Sequence, residues 1–118
     1  MGLMTSNFMA ASLTIGPIKR ATLFAFNIPR TDLEGRSKFR AHVYPRHIAM
    51  YLCRQMTDKS FPQIARAFGD RDHTTVIYAC RKIAAQIPND PDLAADVERV
   101  TALVHANRPL FSRLEEPC

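Results

Sequence analysis

The chain has 118 residues, 47% of them hydrophobic and 23% charged, with a formal net charge of +5. That length buries one core and no second, and the apolar fraction is that of an ordinary globular protein, which excludes a disordered chain. Three scattered cysteines, Cys53, Cys80 and Cys118, make an odd set, which excludes a disulfide framework and points to a reducing compartment.

Met1 to Thr14 is apolar, uncharged and loosely patterned. It reads as a partly ordered tail whose Met4, Phe8, Met9 and Leu13 are available to pack on the domain or on another protein. It has neither a basic n-region nor a long apolar run, so neither secretion nor membrane insertion is expected, and a cytoplasmic location is. From Gly16-Pro17 a helix begins with proline in its first turn, and Ile18, Thr22, Ala25 and Phe26 share one face. Asn27-Ile28-Pro29 should stop it, because the residue before proline avoids the α region.

Asp32-Leu33-Glu34-Gly35 reads as one helical turn closed by glycine. The basic run Arg36-Ser37-Lys38-Phe39-Arg40 lacks apolar periodicity and is predicted to be a loop able to follow a groove. A long helix is then expected to start at Pro45, with Ile48, Tyr51, Leu52 and Met56 on one stripe and His47 and Arg54 on the opposite side. Its first N–H groups, helped by Arg46, would form a phosphate seat.

Ser60-Phe61-Pro62-Gln63 reads as a capping box with proline in the first turn, opening a short helix through Ile64, Ala65, Ala67 and Phe68. After a Gly69-Asp70 turn, Asp70 or Asp72 can serve as N-cap for a second helix, in which Val76, Ala79, Cys80 and Ile83 form one apolar face. The first turn of that helix carries the polar residues Asp72, His73, Thr74 and Thr75. Two helices joined by a glycine-containing turn, the second polar at its tip, form a helix-turn-helix pattern. Beyond it, Asp90 as N-cap and Pro91 at the first position start a last helix with Leu93, Val97, Val100, Leu103 and Val104 on its face, running to about His105. Arg108 to Cys118 is expected to be a tail. No useful strand-like alternation occurs, so the fold class is all-α, with five to six helices and one domain over residues 15–106.

Charge is unevenly placed: Gly35 to Thr57 holds five basic and no acidic residues, whereas Ala84 to Cys118 holds three basic and six acidic. A cation-rich segment beside a helix-turn-helix suits a polyanion. Cys80 lies on an apolar stripe and reads as a small core residue rather than a ligand. No C-x-x-C or His-x-x-x-His spacing occurs, so no metal is expected, and no Gly-x-x-x-x-Gly-Lys-Ser/Thr run occurs, so no nucleotide is either. His73 beside Asp72 is a candidate base with its orienter, but neighbouring helical positions point in different directions, and no enzyme is expected.

The run Gly69-Asp70-Arg71-Asp72-His73-Thr74-Thr75-Val76, continued by Ala79-Cys80-Arg81-Lys82-Ile83, closely resembles the signature of the C-terminal DNA-binding domain of the bacterial chromosomal replication initiator DnaA. The likeness extends back through Pro45 to Leu52, Ser60 to Ile64 and Ala67 to Gly69, and more loosely through Ile15, Ile18, Phe26, Ile28, Asp32 and Leu33, so it covers about Ile15 to Ile87. The resemblance implies a stand-alone small protein with that domain's all-α fold, and no cofactor. It implies that Asp72, His73 and Thr74 reach base edges in the major groove and that Lys38 enters the adjacent minor groove. Arg46, Arg71 and Thr75 match backbone-contacting positions, and His47, Arg54, Phe61, Pro62 and Tyr78 are assigned with them. Three residues depart from the pattern: Lys38 stands for arginine, His47 for glutamine and Tyr78 for histidine.

The function implied is sequence-specific binding of double-stranded DNA at DnaA-box-like sites, modulating replication initiation or transcription without ATPase activity, in the cytoplasm on the nucleoid. The alternative is an interaction module that regulates the full-length initiator or its regulators through protein contacts. Retention of Asp72, His73, Thr74 and Thr75 favours DNA, since a module released from DNA needs no such tip.

Overall fold

Local signals account for most of the helix ends. The computed structural model describes residues 13–115, with side chains as far as residue 106. Its helices are α1 (Ile15–Phe26), α2 (Arg30–Glu34), α3 (Arg40–Met56), α4 (Phe61–Ala67), α5 (His73–Gln86) and α6 (Pro91–Glu115), with a 3-10 turn at Ile87–Asn89 and no strand among the described residues. α1 ends where Asn27 turns into the left-handed region at φ 53°. Asn tolerates that conformation better than most residues. α6 is capped by the Asp90 carboxylate, which accepts from Leu93 N at 3.1 Å.

α3 is the central helix and packs against α1, α2, α4, α5 and α6. Its buried set, Pro45, Arg46, Ile48, Ala49, Met50, Leu52 and Cys53, is far wider than the single stripe expected. A helix surrounded by others is buried nearly all round. Ile18, Leu33, Ile64, Phe68, Val76, Leu93, Val100 and Val104 close on it from the other helices. Each such side chain stabilises the fold by about 1.5–3 kcal/mol through its burial. Leu13 is also in this core, so the packed unit begins before Ile15. Met4, Phe8 and Met9 lie outside the described residues.

Two boundaries differ from expectation. α3 starts at Arg40, five residues before Pro45, so the proline lies inside the helix. It lacks only the N–H that would bond the carbonyl of Ala41, an exposed residue, where water can serve instead. α6 continues past His105 to Glu115. The sequence beyond His105 is rich in good helix formers, among them Ala106, Arg108, Leu110, Arg113 and Leu114. Among the described residues no helix is long and apolar enough to cross a membrane.

Candidate nucleic-acid interface

The capping box of α4 forms as expected: Ser60 Oγ accepts from Gln63 N at 3.2 Å while Gln63 Oε1 accepts from Ser60 N at 2.8 Å. The chain then turns through Gly69 at φ 86° and Asp70 at φ 56°. Gly69 is required twice over, because its φ suits glycine and a Cβ there would collide with the Glu34 carbonyl oxygen. Of the two candidate caps, Asp72 is the one used: its carboxylate accepts from Thr74 N at 3.0 Å and starts α5. Asp70 is a turn residue. The bonds from Thr74 hold the Asp72 carboxyl below its usual range, so it is anionic at neutral pH.

Asp72, His73 and Thr74 are all exposed on this first turn, and Thr75 is half-buried. His73 Nδ1 lies 3.4 Å from Asp72 Oδ1, with Asp72 as the cap, outside the helical geometry. The contact leaves both groups exposed. Farther along the same side, Tyr78 is 59% exposed. Its ring meets the His47 imidazole edge-on at 6.0 Å and carries the Lys82 ammonium 5.8 Å above it.

Thr74, Ile77, Tyr78, Arg81 and Lys82 line one shallow surface along α5. Lys82 also borders a cleft lined by Lys38, Arg40, Tyr44 and His47. The loop cation Lys38 thus joins the outer face of α5. Cys80 points the other way, its thiol toward the Met50 carbonyl, and burial pushes its pKa up to about 11. Burial pushes the Cys53 thiol up as well, so neither is an activated nucleophile. Among the described residues no group of His, Cys, Asp or Glu could hold a metal ion.

Two expected phosphate anchors have other work. Arg46 is only 4% exposed. Its guanidinium donates to the carbonyls of Leu33 at 2.7 Å, Asp32 at 2.8 Å and Ser37 at 3.0 Å. The phosphate seat at Pro45-Arg46 is therefore corrected: those residues lie past the first turn of α3, and Arg46 instead ties α2 and the following loop to it. Arg71 is half-buried and donates to the carbonyls of Glu34 and Gly35, and its Nε finds no partner among the described residues. Arg36 answers from the other side, donating to Gly69 O at 3.1 Å. The loop and the helix-turn-helix turn are laced in both directions, which sets the position of Lys38 relative to α5.

His47 is also no cationic anchor. Burial, then the charges of Lys82, Arg46 and Arg71, lowers its pKa to about 4, so its ring is neutral at physiological pH. Arg54 lies over the Phe61 ring at 4.3 Å and donates to Lys59 O at 3.0 Å. With exposed Pro62 it forms a second exposed edge, at the start of α4.

A family model described as bacterial dnaA protein helix-turn-helix matches residues 15–83, most of the described core and the motif just built as far as Ile83. The chain belongs to that family. It is 49% identical over 94 residues to the chromosomal replication initiator protein DnaA of Symbiobacterium thermophilum, covering 80% of this chain and 20% of that protein. The corresponding figures for the protein of the same name from Agrobacterium fabrum are 42% over 98 residues, 83% and 20%. For Bartonella quintana they are 38% over 104 residues, 88% and 21%. The chain spans about a fifth of the length of these relatives.

Within this DnaA-type helix-turn-helix, sequence reasoning missed Arg81 and Lys82, which share the exposed surface with Thr74 and Tyr78. Helical spacing held the signal, since Lys82 follows Tyr78 by four and Arg81 follows Thr74 by seven. Arg36 was seen only as part of a basic run, and its bond to the Gly69 carbonyl follows from no local pattern.

Proposed function

We propose that the chain binds double-stranded DNA sequence-specifically at DnaA-box-like sites and acts on replication initiation or transcription by occupying them, without hydrolysing ATP. The observation that carries this reading is the exposed tip of α5, Asp72-His73-Thr74, from which Thr74 lines one surface with Tyr78, Arg81 and Lys82, while Lys82 also borders the cleft that holds Lys38. A carboxylate at such a tip accepts from a cytosine amino group, and a threonine methyl packs on a thymine methyl. The cations along α5 and the loop neutralise phosphates on either side, with Arg54 and Thr75 supporting them. Arg46 and Arg71 support the interface from within. The relatives are named as chromosomal replication initiator proteins, which fits this use of the tip. The chain corresponds to about a fifth of them, and this fifth carries the helix-turn-helix. Occupying such sites would share them with, or mask them from, a full-length initiator on the nucleoid.

Fluorescence anisotropy with a box-containing and a scrambled duplex tests this reading. Preference for the box duplex at moderate salt is the expected result, and Thr74→Ala should reduce that preference by about 1–3 kcal/mol, the worth of one base contact. Equal affinity for both duplexes would refute it.

A further inference from the structure

Phe39 is 74% exposed, although burying a phenyl ring is among the largest single stabilisations a side chain offers. The ring is not left outside by a loose loop. Phe39 N donates to Ser37 Oγ at 3.2 Å, and its carbonyl accepts from both His42 N and Val43 N at 2.9 Å. The ring stands edge-on to the His42 imidazole at 6.0 Å. His42 in turn is held by Ser37 Oγ at 2.8 Å and lies 3.3 Å from the Asp32 carboxylate. Its two sequence neighbours, Lys38 and Arg40, line the cleft beside α5 and Phe39 does not.

We propose that Phe39 is a minor-groove wedge: with Lys38 beside it in the groove and Arg40 on a phosphate, its ring enters the groove next to the one read by α5 and packs on sugar edges and a partly unstacked base step. This rests on the DNA-binding reading above. A polyanion is the occupant that charge complementarity selects, because the exposed ring stands between two exposed cations. Apolar side chains flanked by cations are the usual means of opening a step in the minor groove, and flexible pyrimidine–purine steps open most readily.

The test uses the purified chain with box duplexes carrying 2-aminopurine at successive flanking positions. Wild-type binding should raise the fluorescence at one flanking step, and Phe39→Ala should abolish that rise and weaken binding about tenfold, within the range for losing an aromatic–base contact. The slope of log Kd against log salt should be the same as for wild type, whereas Arg40→Ala should reduce it by about 0.9. Phe39→Trp should restore both affinity and fluorescence. Thermal melting without DNA checks that the exposed position leaves folding intact. If Phe39→Ala binds the box duplex as tightly as wild type and still brightens the probe, the wedge is refuted while DNA binding stands. If wild type prefers no duplex, both readings fall together.

Discussion

A single arginine separates the two kinds of work basic residues do in this protein. Arg46 donates to three backbone carbonyls from a site that is 4% exposed, so Arg46→Ala strands those acceptors as well as removing side-chain packing. The expected cost is about 2–4 kcal/mol of stability, read as a fall in melting temperature, and Arg46→Lys should not rescue it because an ammonium lacks the planar fork. Lys82→Ala, at an exposed position, should change stability by less than about 0.5 kcal/mol and lower DNA affinity instead. His47 gives a pH signature. Its pKa is about 4 in the fold against an ordinary 6.5, so as pH falls the unfolded chain takes up the proton first. Its contribution is intact above about pH 6.5 and declines toward pH 4. His47→Gln should flatten the melting temperature across that window relative to wild type, by an amount worth about 1 kcal/mol once solvent screening at the half-open ring is allowed for.

At the level of elements, the joint between α2, the loop and the helix-turn-helix turn matters most. Gly69 sits against the Glu34 carbonyl at positive φ, Arg36 and Arg71 bridge the gap in both directions, and Lys19 donates to Ala67 O while pairing with Glu34. Gly69→Ala introduces both backbone strain and a collision, so it should destabilise the fold by roughly 2–4 kcal/mol in a denaturant titration. Any folded fraction should bind box DNA less tightly, since the loop cation and the tip of α5 would no longer hold their relative positions. Phe68, fully buried at the end of α4 under the Lys19 ammonium, anchors the same joint. Phe68→Ala should cost about 3–5 kcal/mol through the cavity it leaves.

For the molecule as a whole, the asymmetry of charge has a measurable consequence. In the proposed interface the cations of the loop, of α5 and Arg54 address a polyanion, whereas Asp96 on α6 is engaged with Tyr44 and Arg99. Affinity for duplex DNA should therefore fall linearly with log salt, by about 0.9 per phosphate contacted, and a salt-independent affinity would contradict the proposed interface. ATP with magnesium should shift neither the melting temperature nor the DNA affinity, because the sequence contains no phosphate-cradling loop; a clear shift in either would require a binding site outside the surface described.

What the sequence determined by itself was local. The capping box at Ser60-Gln63, the Gly69 turn, Asp90-Pro91 and the stripe Val76, Ala79, Ile83 are each set by groups within a few residues of one another, and each appears in the structure. The exposed tip Asp72-His73-Thr74 was legible for the same reason, as a cap and first turn. Only the tertiary structure decided the fate of the long cations. Arg46 looks outward in a periodicity count, yet α2 and the loop after it bring three carbonyls to it from 9 to 14 positions away in the chain, and Arg71 is drawn inward by carbonyls 36 and 37 positions away. The early start of α3 was hidden because Phe39 caps it through its backbone carbonyl, with no side-chain cap to betray it. Backbone acceptors carry no residue signature. Where a flexible cation can choose between a phosphate and a carbonyl, the choice belongs to the fold.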